Sequence, residues 1–251
     1  MRNVSQRLWF FVITLLVLAT MTCHGETSVG QQLRVPIRYM FGNAPLEFHK
    51  LAALTSDTRI AISRLEYIVS NVRLQDEHAA WSAQSTAYYH FNPLEQDHTD
   101  LLMDVPTTIT VGAIGFDIGV PSGINHGDPA HWPAGHPLNV LECNLYWSWQ
   151  VGYVFLAVEG YALQPAQPRK TFLYHLGNEP QLMHVDLPLP KGVVLAGSEI
   201  VFHVDRAWKG TEAITADDGR GLTHSADGDK LAPRLARNIE KAFEVRRRVS
   251  P

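Results

Sequence analysis

From residue 33 onward, apolar and polar positions alternate in a way that predicts a succession of strands. Residues 33–39 alternate with period two, and Pro36, which has no N–H to give to a ladder, predicts an edge strand. Residues 59–74 hold two strand-like runs, 60–65 and 67–74. The segment 107–120 is β-branched and spaced by glycines. Residues 147–163 alternate again, with Tyr153, Phe155, Ala157 and Glu159 on one face and Val154, Leu156, Val158 and Gly160 on the other. Residues 171–175, 182–187 and 199–204 complete the set. Proline and glycine punctuate these runs at sandwich-like intervals, and nothing alternates strand with helix, which argues against a parallel sheet. The expected fold is all-β: a single antiparallel β-sandwich or irregular barrel with long loops.

One helix is predicted, at the C-terminal end. Leu231, Leu235, Ile239 and Ala242/Phe243 recur at helical spacing with Arg and Lys between them. Asp229 is placed to cap its start, and Pro233 falls in the first turn, where it is tolerated. The run Arg246-Arg247-Arg248 then reads as a solvated last turn, matched to the negative end of the helix dipole.

The first residues carry a processing pattern. Arg2 and Arg7 precede an apolar run over residues 8–19, too short for a comfortable membrane span, and small residues follow near Gly25. We expect a signal peptide over residues 1–25 and a mature β domain over residues 26–251, exported to the periplasm or secreted, with no membrane span once the signal is removed, and monomeric. An uncleaved anchor is the competing reading. Hydrophobic residues make up 45% of the chain, enough for a substantial core, and the formal net charge of −4 with no basic cluster argues against nucleic acid. Beyond the signal Cys143 stands alone, so no internal disulfide is expected and the residue reads as a buried thiol.

Composition changes the picture at histidine, of which the chain has 12. Residues 124–136 bring His126, His131 and His136 together with Trp132 in a segment rich in Gly and Pro. Neutral imidazole is the commonest protein metal ligand and suits copper and zinc. A loop held on a rigid scaffold is where binding chemistry concentrates. There is no H-E-x-x-H and no G-x-S-x-G. The acidic segments 217–221 and 227–229 lack EF-hand spacing and read as polar turns.

Several blocks, in order, resemble a known family. Leu65-Glu66-Tyr67-Ile68-Val69-Ser70-Asn71-Val72-Arg73-Leu74 is similar to the "L-x-Y-x-x-S-N-V-x-L" block of the methanobactin-partner (MbnP-like) copper-binding proteins. Tyr89-His90-Phe91-Asn92 and Ile114-Gly115-Phe116-Asp117-Ile118-Gly119-Val120 resemble two further segments. Tyr146-Trp147-Ser148-Trp149-Gln150-Val151-Gly152-Tyr153 resembles the family's "M-x-W-x-W-x-x-G-Y" signature. Tyr174-His175-Leu176-Gly177 resembles its "H-x-G" element, and Thr223-His224 with Asn238 and Phe243 its closing "H…N…F". The blocks cover residues 33–246. The chain departs from the pattern at Pro121, at Asn144-Leu145 and in the histidine-rich loop.

The resemblance implies a non-catalytic exported copper protein that holds Cu(I) with two histidines beside a kynurenine made from tryptophan. A di-haem cytochrome c peroxidase-like protein is the implied partner for that oxidation. On this reading His175 is the first ligand and His126 or His131 its counterpart, with His136 a competitor, His224 a further ligand candidate or else a helix-entry residue, and Trp132 the candidate for modification. Trp147 and Trp149 read as core aromatics. His49, His78, His98, His184 and His203 belong to no constellation, and His90 is expected to be structural. The alternative is a secreted β-sandwich that binds carbohydrate or protein through Trp81, Trp147 and Trp149. Other readings make the chain chiefly the peroxidase's substrate, or place His24 at a copper-chelating N-terminus.

Overall fold

A computed structural model describes residues 31–83, 85–96, 99–105, 110–148 and 151–248. The expected signal segment, His24, His98 and Trp149 lie outside these residues. In chain order the strands are β1 (Gln31–Phe41), β2 (Ala44–Pro45), β3 (Ala52–Ala53), β4 (Arg59–Asp76), β5 (Trp81–Ala83), β6 (Tyr89–Phe91), β7 (Asp100–Val105) and β8 (Val111–Ile118). They continue as β9 (Tyr146–Ser148), β10 (Gly152–Leu163), β11 (Lys170–Gly177), β12 (Met183–Pro188), β13 (Ser198–His203), β14 (Leu222–Thr223) and β15 (Phe243–Arg247). Three helices join them: α1 (Ser122–Asn125), α2 (Arg206–Lys209) and α3 (Leu231–Glu240). No described helix is long and apolar enough to cross a membrane.

The strands form two sheets. The larger runs β12-β8-β4-β10-β11-β14, with β3, β5 and β6 also on β4 and β9 on β10. The smaller runs β15-β13-β1-β2, with β7 on β1. Most pairs are antiparallel, as expected of an all-β fold; β1–β13 and β11–β14 are parallel. The two runs predicted over residues 60–74 are one strand, β4, which pairs with β10 along one half and β8 along the other.

Aromatic side chains join the layers. Phe202 of β13 stacks on Phe243 of β15 at 4.2 Å, and Phe243 meets Phe116 of β8 edge-on at 5.4 Å. Tyr67 of β4 contacts Phe202 at 5.9 Å, and its hydroxyl shares a hydrogen bond of 2.8 Å with that of Tyr39. Tyr67, Phe116 and Phe202 are fully buried. Each such side chain contributes roughly 1.5–3 kcal/mol through removal from water.

Strand β1 pairs with β7 along Gln31–Pro36 and with β13 from Ile37 onward, so at Pro36 only one flank has a strand partner among the described residues, as expected of an edge position. One expectation is corrected. The C-terminal helix ends at Glu240. Beyond it, Phe243 and Val245 follow period two and pair with Phe202 and Ile200, so Arg246 and Arg247 lie on a strand. The helix start is as expected: Oδ1 of Asp229 accepts from the N–H of Leu231 at 2.7 Å and of Ala232 at 3.1 Å, and Leu231, Leu235 and Ile239 are buried.

Candidate functional site

A row of polar side chains crosses the larger sheet on one face. The residues between them, Leu65, Tyr67, Val158, Tyr174 and Leu176, are buried in the core. Register brings the polar members together. Arg64 of β4 lies opposite Glu159 of β10, and His175 of β11 lies opposite Ala157, diagonal to Glu159. His90 of β6 lies opposite Ile68, diagonal to Glu66. The parallel pairing of β11 with β14 matches Tyr174 to Thr223, so the next position sets His224 beside His175.

The contacts follow that register. Nη1 of Arg64 donates to Oε1 of Glu159 at 2.7 Å, and Nε of Arg64 donates to Oε1 of Glu66 at 3.0 Å. Nε2 of His175 lies 2.9 Å from the same Oε1 of Glu159, and Nε2 of His90 lies 3.4 Å from Oε2 of Glu66. One guanidinium thus bridges two carboxylates, each of which holds an imidazole. Burial works to raise both carboxyls. For Glu159 the hydrogen bonds from His175 and Arg64 outweigh it, for Glu66 those from His90 and Arg64, and both groups lie below the usual carboxylate range.

At one end the row closes in a cluster of three rings. His175 and His224 have ring centroids 5.2 Å apart, and the indole of Trp147 lies 5.5 Å from the first and 4.9 Å from the second. Burial first, and then the neighbouring His175, depress the pKa of His224, so that ring favours its neutral form. With Nε2 directed at a carboxylate, Nε2 is the donor nitrogen of His175, so in the neutral ring the lone pair lies on Nδ1. That Nδ1 is buried and has no hydrogen-bond partner among the described residues. A buried nitrogen with an unused lone pair, next to a second neutral imidazole, fits a soft d¹⁰ ion that needs few ligands. No group of three or more His, Cys, Asp or Glu arranged for a metal is present among the described residues. The arrangement is therefore a two-imidazole pair, not a closed cage.

The structure does not bring the histidine loop to His175. His126 pairs with Glu179 at 2.8 Å, and His131 meets Trp132 edge-on at 5.9 Å. Trp132 stacks flat on His136 at 4.1 Å, with Tyr88 against both rings. Nδ1 of His136 accepts from the N–H of Leu138. Asn139 donates to the carbonyl of Trp132 at 2.7 Å, which fastens the loop. These contacts give the loop a packing role of its own. Among the histidines expected to have no constellation, His184 pairs with Asp117 at 2.8 Å and His203 with Glu244 at 3.1 Å. Cys143 is buried, and burial pushes its thiol up to about 11.

Two residues beside the histidine pair differ from their expected roles. Trp147, expected in the copper reading to be a core aromatic, is 40% exposed. Glu159 was placed only on a strand face. The signal was available: it is the one charge in the apolar run Val154-Phe155-Leu156-Ala157-Val158-Glu159. Gly152 helps place the Trp147 strand. Its φ is +81°, and an added Cβ would lie 2.3 Å from Oδ1 of Asn125, the atom that accepts from the N–H of Tyr153 at 2.7 Å.

The MbnP family model matches residues 30–218. Among solved structures, MbnP from Methylosinus trichosporium aligns with a TM-score of 0.61, covering 87% of this chain and 99% of that one at 13% identity. At that identity the likeness is one of fold. No curated protein matches the chain.

Proposed function

The chain belongs to the MbnP family, and from that premise we propose that it is an exported, non-catalytic copper-handling protein that holds Cu(I) between His175 and His224 beside Trp147. The observation that carries the reading is the buried, unpartnered Nδ1 of His175 next to a second imidazole whose pKa is depressed. Neutral nitrogen donors bind copper only when they are free of protons. Glu159 removes the tautomer ambiguity of His175, and Arg64 anchors Glu159 in turn. Copper itself is the cargo. The protein's part is to present two lone pairs on a rigid sheet and to shield one of them from water.

The counterpart of His175 is His224 in this reading, in place of the loop residues His126 and His131. Trp147 likewise replaces Trp132 as the residue that a di-haem cytochrome c peroxidase-like partner would oxidise to kynurenine. Its exposure leaves the indole reachable from outside, while its ring lies beside both imidazoles. Trp132 is engaged by its stack on His136. Localisation in the periplasm or outside the cell belongs to the same proposal.

Copper titration of the purified chain, followed by elemental analysis, tests the binding. The account expects one Cu(I) per chain, and a chain that takes up none overturns it. Peptide mass spectrometry of protein from its native source tests the modification. Kynurenine is expected in the peptide that contains Trp147. An unmodified Trp147 alongside kynurenine at Trp132 overturns that assignment.

A further inference from the structure

The arginine run near the C-terminus has no part in the histidine cluster. It lies on β15 and just beyond it, in the smaller sheet. Across β15, β13 and β1, Arg246, Glu199 and Arg38 form a row. Glu199 is 3% exposed, and both of its oxygens are engaged: Oε1 accepts from Nε of Arg246 at 2.8 Å and Oε2 from Nε of Arg38 at 3.2 Å. A buried carboxylate balances one guanidinium, and this one holds two. Both arginines bond through Nε, so their Nη groups make no hydrogen bond to any described residue. Their side chains are 56% and 43% exposed, at the edge of a cavity of about 470 Å³.

The rest of the cavity is suited to a different chemistry. Met40, Leu46, Phe48 and Pro93 give it apolar walls. Arg38 also lines an adjoining recess of about 350 Å³ with Arg34 and Arg248. Asp100 matches Arg34 at 2.7 Å, whereas the Arg248 guanidinium has no carboxylate partner among the described residues. Among the described residues around these recesses, four arginines face two carboxylates, in a chain of formal net charge −4.

We infer that this groove binds an organic oxyanion with an apolar body, the carboxylate or phosphate head between Arg38 and Arg246 and the body against Leu46 and Phe48. The unmatched positive charge calls for a second anion. Glu199 holds both guanidinium groups in place, so little side-chain freedom is lost when one arrives. Guanidinium forks match carboxylate and phosphate geometry, and the volume lies in the range of small-molecule sites. The site is separate from the histidine cluster and does not depend on copper.

Isothermal titration of the purified chain with octanoate and with octyl phosphate tests the inference, and their ratio identifies the preferred head. Saturable one-to-one binding of at least one is expected, about tenfold tighter than acetate or inorganic phosphate. Arg38→Gln and Arg246→Gln are each expected to weaken it about tenfold, and Arg220→Gln, in the turn before β14 of the larger sheet, to leave it unchanged. Leu46→Glu keeps the Glu199 triad but blocks the apolar wall, and is expected to abolish octanoate binding. No saturable binding of either amphiphile overturns the inference, as does binding that survives Arg246→Gln and Leu46→Glu. Binding to vesicles of anionic lipid without binding of the soluble anions also overturns it, in favour of a membrane contact.

Discussion

Nε2 of His175 lies 2.9 Å from Oε1 of Glu159, while Nδ1 of the same ring is buried with no hydrogen-bond partner among the described residues. The first contact fixes which nitrogen carries the proton, and the second leaves the other nitrogen free to bind. Carboxylates that hold a ligating histidine typically tune metal affinity by 10–100-fold. Glu159→Gln is therefore expected to weaken Cu(I) binding by roughly that factor, measured by competition with a chromophoric chelator. Arg64 keeps Glu66 as a partner in the variant, so the loss of stability is expected to be roughly 1 kcal/mol. Unchanged affinity in a folded Glu159→Gln protein would remove the positioning role.

The loop histidines and the sheet histidines separate by substitution. His175→Ala and His224→Ala are each expected to lower Cu(I) affinity at least about tenfold. His126→Ala and His131→Ala are expected to leave it within about twofold, because their rings are spent on Glu179 and Trp132. The reverse ranking would return the site to the loop.

Burial and the neighbouring His175 hold the pKa of His224 below the ordinary imidazole value. The folded site then binds fewer protons than the unfolded chain as pH falls through the ordinary value. Proton competition at this ring starts only below that value. The loss of Cu(I) affinity that His224 contributes is expected to appear only below about pH 6.5. A midpoint of loss above about pH 7 would mean that some other group controls binding.

Gly152→Ala tests the turn that places the Trp147 strand. The residue has φ +81°, and an added Cβ would lie 2.3 Å from Oδ1 of Asn125. Strain and steric overlap together are expected to cost on the order of 2–3 kcal/mol, read from urea unfolding. A cost below about 0.5 kcal/mol would show that the turn relaxes freely.

Much of the fold was legible in the chain because period-two alternation reports a half-buried sheet directly. Residues 60–74, 152–163 and 199–203 fall on strands for that reason, although the alternation read from residue 147 belongs to two strands, β9 and β10. Pro36, with no N–H to give, falls where β1 has one strand partner, just before β13 joins it. The C-terminal helix was extended too far because Phe243 fits both periods, and only its pairing with Phe202 decides between them. Of the site, His175 was legible as a strand residue in a family-like block. Its neighbours were not, since His224 reaches it through a parallel pairing of strands 49 residues apart at Tyr174 and Thr223 that no local pattern encodes. A dense histidine loop was the louder signal, yet its rings are used for packing.

Anomalous scattering at the copper edge from crystals of the Cu(I)-loaded chain tests the central claim most directly. A single copper peak bonded to Nδ1 of His175 and to the imidazole of His224, with Trp147 or its kynurenine alongside, is the predicted result. A peak at His126, His131 or His136, with His175 still bare at Nδ1, would contradict it.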